Sequence, residues 1–232
     1  MPDVFDHIDT MAQRYAAAII EAYPEGPYSL LGWSSGGLIA MAIASELEKQ
    51  GKDVDFVSLL DSRPLSTWLD EITEEKLLYA AIQVVVTAMC KGNLPPDFAA
   101  DLGHYLQDNR LTEIFSEAQS DMLLLYLAEL TGRSSNIHEL DTIKQQVEIT
   151  KRHLALLSRY VPEKINAPLH IVWAKESHIE PVILSYYDGE NVSSSIAVVE
   201  GNHYGMLNAP HVSMLAQSIQ LFSTKDTARI PA

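Results

Sequence analysis

Tyr28-Ser29-Leu30-Leu31-Gly32-Trp33-Ser34-Ser35-Gly36-Gly37 is the stretch that decides the fold. A short apolar run stopped by a glycine reads as a buried parallel strand. The small-residue stretch from Gly36 to Leu47 then reads as a helix, closed by Lys49-Gln50-Gly51, a basic residue followed by a glycine. Gly-x-Ser-x-Gly at the join of strand and helix matches a nucleophile elbow, a strained turn that lifts a serine hydroxyl out at the carboxyl end of a sheet. Gly32 and Gly36 are expected to be glycine because a side chain on either would collide within so tight a turn. Ser34 is therefore the candidate nucleophile. The competing reading is a glycine-rich turn that cradles a phosphate, but it lacks the lysine that a P-loop carries beside its hydroxyl.

Working outward, residues 6–23 place Ile8, Met11, Ala12, Tyr15, Ala16, Ile19, Ile20 and Tyr23 on one stripe at helical spacing. Val54 to Leu60 forms a second apolar strand, ended by Asp61-Ser62-Arg63-Pro64. Strand, helix, strand in that order predicts an α/β fold with a mostly parallel sheet and flanking helices. Between Ser62 and Pro168 strand signals nearly vanish, and Ile72–Met89, Asp97–Leu106, Leu111–Leu130 and Ile137–Tyr160 read as helices. An insertion this long exceeds a simple crossover and predicts a helical lid over residues 65–160. Strands return at Leu169–Ala174 and Ile196–Val199, before a closing helix from about Pro210 to Phe222. Residues 1–232 are expected to form one domain, with the lid as an excursion from it.

A serine hydroxyl is barely ionised near neutral pH, so Ser34 needs a base, and the base needs an acid to hold its tautomer. Asp61 closes the strand after the elbow and is expected at the same end of the sheet, although a lone aspartate there also suits a turn or a helix cap. His203 follows the last strand in a loop between Gly201 and Gly205, placed to swing an imidazole over Ser34. The other seven histidines fall on predicted helices, inside a strand or away from that sheet end. The backbone N–H of Ser35, next to the nucleophile, is the expected oxyanion donor.

The chain has 232 residues, 47% apolar and 20% charged, enough for one sizeable core. Its net charge of −15 excludes general affinity for nucleic acid. The single cysteine, Cys90, has no Cys or His at ligand spacing, so neither a structural metal nor a disulfide framework is expected. No apolar run reaches the length of a membrane span, and Asp3, Asp6 and Asp9 stand where a signal peptide would be positive. A cytoplasmic protein is expected.

These residues together resemble a family. Tyr23 through Gly37, with Gly26-Pro27-Tyr28 leading into the strand, then Leu47-Glu48-Lys49-Gln50-Gly51, Leu59-Leu60-Asp61-Ser62 and Gly201-Asn202-His203-Tyr204-Gly205-Met206-Leu207, is similar to the type I thioesterase domains of nonribosomal peptide and polyketide synthases. The resemblance implies an α/β-hydrolase fold, a Ser34–Asp61–His203 triad and no cofactor of the domain's own. The substrate would be an acyl or peptidyl thioester on the phosphopantetheine of a carrier protein, released by hydrolysis or macrocyclisation. A catalytically silent carrier-docking fragment and a free-standing editing thioesterase are the alternatives. Family members carry about fifty residues before the first helix seen here, with a strand and a loop that gives a second oxyanion N–H. This chain starts after them. The expectation is a low-activity form, or one that takes a complementary N-terminal segment from elsewhere, with an exposed edge on the elbow strand.

Overall fold

A computed structural model describes residues 5–64, 73–90, 137–177 and 194–226. The helices expected at 97–106 and 111–130 lie outside the described residues. The chain is organised as two compact units, one of residues 1–68 with 156–232 and one of residues 69–155.

The first unit opens with helix α1, Ile8–Ala22, which buries Ile8, Met11, Ala12 and Ala16. The expected stripe was too wide: Tyr15 and Tyr23 are exposed. Tyr15 instead sets its ring edge-on against Phe5 at 6.1 Å, and Tyr23 caps the helix from outside. Strand β1, Tyr28–Trp33, runs through Gly32 rather than stopping there. Helix α2, Ser35–Lys49, and strand β2, Val54–Leu60, follow. After the second unit come β3, Leu169–Ala174, and β4, Ser194–Val199, then a 3₁₀ turn, Gly205–Leu207.

The four strands are parallel and lie in the order β1-β2-β3-β4. Register sets the site, because Trp33 pairs with Leu60 and Leu60 pairs with Val172. The next residue of each strand is therefore brought to one sheet edge. Beyond that row, Leu60, Val172, Ala174 and Val199 pack with Met206 and with Leu215 of the last helix. That helix is labelled α5, Val212–Asp226. Among the described residues β1 pairs with β2 alone, and Leu31 is 52% exposed. Helix α2 is tied to the entry of β3 at its far end. The Glu48 carboxylate accepts from the Asn166 and Ala167 N–H groups at 2.9 and 2.8 Å, and Glu163 takes the Ser45 hydroxyl at 2.6 Å as well as the Lys49 ammonium.

In the second unit, α3 spans Glu74–Met89, two residues later than expected because the Thr73 side chain caps it by accepting from the Lys76 N–H at 3.2 Å. Helix α4 spans Ile137–Leu157 and ends in the first unit. Lys151 of α4 pairs with Glu148 and with Glu74 of α3. Among the described residues no helix is long and apolar enough to cross a membrane.

Candidate active site

Ser34 stands between β1 and α2 with φ 56° and ψ −131°, a backbone state that non-glycine residues rarely adopt. Holding it costs on the order of 1–3 kcal/mol, so its surroundings must over-determine it. They do so through the main chain: the Ser34 N–H donates to the Leu60 carbonyl at 2.9 Å, and its own carbonyl accepts from the Gly37 N–H at 3.1 Å and from the Ser62 hydroxyl at 2.6 Å.

The glycines meet the expectation only in part. A β-carbon on Gly32 would overlap the backbone of Gly36 and Gly37, but one on Gly36 would meet nothing within 4 Å. The second crowded position is Gly37, where a β-carbon would run into the Ser62 side chain. Gly36 turns outward as the helix begins, so the tight approach falls one residue later. Ser35 is the first residue of α2. Amides in this first turn lack an intrahelical acceptor and sit at the positive end of the helix dipole, a setting suited to an oxyanion.

Asp61 leaves β2 at the same edge, also left-handed at φ 45°, with 2% exposure. Its N–H continues the ladder to the Val172 carbonyl at 2.7 Å. A carboxylate buried this deeply needs donors. Oδ1 accepts from the Ala174 N–H at 3.2 Å, and Oδ2 accepts from the Ser177 hydroxyl at 2.6 Å and from His203 Nδ1 at 2.7 Å. Burial alone would raise its pKa, but the bonds from His203, Ser177 and Ala174 outweigh burial and hold the carboxyl below its ordinary value. An ionised carboxylate only accepts, so His203 Nδ1 carries the proton, and in the neutral ring Nε2 is left as a base.

His203 sits in a loop anchored at both ends. Gly201 is at φ +101°, and Asn202 Oδ1 accepts from the Tyr204 and Gly205 N–H groups at 3.1 and 2.7 Å. Met206 is fully buried in the cluster under α5. The His203 side chain is 30% exposed. Its ring stacks on Trp33 with centroids 4.6 Å apart and planes 26° apart, and Trp33 Nε1 donates to the His203 carbonyl at 3.0 Å. Asp61 and His203 are thus joined directly, while among the described residues no hydrogen bond links the Ser34 hydroxyl to the imidazole.

Three contributors escaped the sequence reading: Ser177, Asn202 and Trp33. Asn202 was legible as an Asx turn beside a glycine, whereas Ser177 and Trp33 act through contacts 116 and 170 residues away in the chain. The buried His170 lies inside the sheet between Ser195 Oγ at 2.7 Å and Ser218 Oγ at 3.1 Å, away from this edge. No group of three or more metal-ligating side chains occurs among the described residues.

A serine in a strained elbow on a parallel sheet, with an aspartate–histidine pair at the same edge, defines an α/β-hydrolase architecture. Comparison with known proteins is consistent with it. A family model described as "Thioesterase domain" matches residues 3–83. "Inactive atromentin synthetase invA4" of Paxillus involutus is 26% identical over 208 residues, covering 90% of this chain and 21% of that protein. Among solved structures, a four-domain nonribosomal peptide synthetase bound to AMP and glycine matches 97% of this chain and 16% of its own at a TM-score of 0.72 and 21% identity. The NocB thioesterase domain, in covalent complex with a fluorophosphonate nocardicin G analogue, matches 95% of this chain and 76% of its own at 0.61 and 20% identity. Residues 3–83 thus match a thioesterase-domain model, and the solved thioesterase domains share the α/β-hydrolase fold of this chain. The chain spans about a fifth or less of the length of the curated relatives it matches.

Proposed function

We propose that this domain releases an acyl or peptidyl chain from the phosphopantetheine thioester of a carrier protein through an acyl-Ser34 intermediate. The Ser34 hydroxyl attacks the thioester carbonyl while His203 Nε2 takes its proton. The resulting oxyanion is held by the Ser35 N–H at the start of α2. The C–S bond then breaks and His203 protonates the departing thiolate. Water, or a nucleophile within the chain itself, gives its proton to His203 and attacks the ester. The C–O bond breaks and the proton returns to Ser34. Asp61 stays ionised throughout and steadies the imidazolium. The insertion between β2 and β3, residues 65–160, is proposed as the lid.

The single observation that carries this reading is the 2.7 Å bond from His203 Nδ1 to the buried Asp61 carboxylate at the sheet edge from which Ser34 emerges. A silent carrier-docking domain is the second reading. It is favoured by the missing bond from Ser34 to the imidazole and by a relative whose name includes "inactive". Such bonds are often long without substrate, so the first reading is preferred. A fluorophosphonate probe decides between them, because it modifies Ser34 and abolishes thioester hydrolysis in the first case and leaves the chain unlabelled in the second.

A further inference from the structure

We infer that Trp33 is a positioning residue that fixes the plane of the His203 imidazole and measures its distance from the nucleophile; the inference rests on the release reading above. Trp33 is the chain neighbour of Ser34, yet its side chain spends itself on the histidine loop. The indole N–H donates to the His203 carbonyl at 3.0 Å, and the indole face lies on the imidazole with centroids 4.6 Å apart. Tyr204 closes the cluster edge-on, 5.3 Å from Trp33 and 5.1 Å from His203.

The need for such a clasp follows from the geometry of Asp61. One hydrogen bond at Nδ1 sets which nitrogen carries the proton but leaves the ring free to swing about that bond, and the ring is 30% exposed with no hydrogen bond to Nε2 among the described residues. A rigid bicyclic ring against one imidazole face removes that freedom. It also refers the histidine to β1 itself, so any shift of the elbow strand carries the base with it. When His203 takes the serine proton, the new cation lies within the range at which an indole face attracts it. The stack therefore becomes tighter when charge develops, which favours the transition state over the resting enzyme.

The test compares Trp33→Phe, which keeps a ring and loses the N–H, with Trp33→Leu, which loses both. Three measurements are made on each full chain. They are the second-order rate of Ser34 labelling by a fluorophosphonate, kcat and KM on an acyl N-acetylcysteamine thioester, and the His203 ring-proton shifts in ¹⁵N-histidine-labelled protein. The parent is expected to show His203 protons displaced by the indole ring current. Trp33→Leu loses that displacement, and its labelling rate and kcat fall about tenfold to a hundredfold with KM little changed, the scale set by misplacing a reacting group by about 1 Å. Trp33→Phe recovers most of the loss. Parent-rate labelling in Trp33→Leu, or a loss confined to KM, would overturn the inference. A parent that shows the ring-current shift but takes no label contradicts the release reading, and the positioning role falls with it. A parent that labels but shows no ring-current shift contradicts the inference alone.

Discussion

The Ser62 hydroxyl donates a 2.6 Å hydrogen bond to the carbonyl of Ser34, so the residue after Asp61 grips the backbone of the candidate nucleophile. The same hydroxyl fills the space that a side chain on Gly37 would need. The elbow and the end of β2 are therefore one mechanical part.

Gly37→Ala is expected to destabilise the domain by about 1–3 kcal/mol through this overlap. In a Ser62→Gly background, which clears both the hydroxyl and its β-carbon, the same change should cost distinctly less. Denaturant unfolding of the four variants in a double-mutant cycle reads the coupling, and additive costs would show that the two side chains do not share that space.

Ser34→Ala and His203→Ala should each remove nearly all thioester turnover, and Asp61→Asn should cost roughly three to four orders of magnitude. Combining any two should cost little more than the worse one alone, because the groups act as a unit. Parent-rate turnover by Asp61→Asn would mean that another group supplies the acid.

Ser177→Ala removes one of the donors that hold the Asp61 carboxyl below its ordinary value. The sign is fixed: a depressed carboxylate contributes stability above its unfolded value, and that stability is lost as pH falls through the folded one. With less depression, the acid loss should be smaller in Ser177→Ala and should end at a higher pH than in the parent. Urea midpoints between pH 5 and pH 2 measure this, and superimposable curves would contradict it.

Burial lowers the pKa of His170, which is 4% exposed and stacked on Phe222 with centroids 4.5 Å apart. The unfolded chain then binds the extra proton first, so stability falls as pH drops below the ordinary histidine value of 6.5. His170→Gln, which keeps a polar group facing Ser195 and Ser218, should show a shallower loss between pH 6.5 and pH 5. Equal slopes for parent and variant would assign the acid sensitivity elsewhere.

Much of the fold and site is legible in the sequence because it is local. The Tyr28–Gly37 run carries strand, turn and helix together, and Asp61 and His203 both follow apolar strands, so their common edge follows from the alternation of strands and helices along the chain. Periodicity overreached at Tyr15 and Tyr23, where an aromatic ring met the helical spacing but faced solvent instead of the core. Gly36 was misjudged because spacing cannot tell which glycine of a turn faces inward. Ser177 and Trp33 carried no local signal for these roles, since each acts through contacts across the fold.

Ser34 and Asp61 share one further property, the left-handed backbone that only glycine adopts without cost. Replacing Ser34 by glycine would relieve strain of about 1–3 kcal/mol in the native state, less the entropy that glycine returns to the unfolded chain, whereas at Asp61 the same change would also strip the hydrogen bonds from Ala174, Ser177 and His203. Under the proposed reaction, selection for catalysis and selection for stability therefore pull in opposite directions at Ser34. Once turnover is no longer demanded of a lineage, loss of this serine would carry little or no stability penalty, and a fold of this kind can outlive its chemistry.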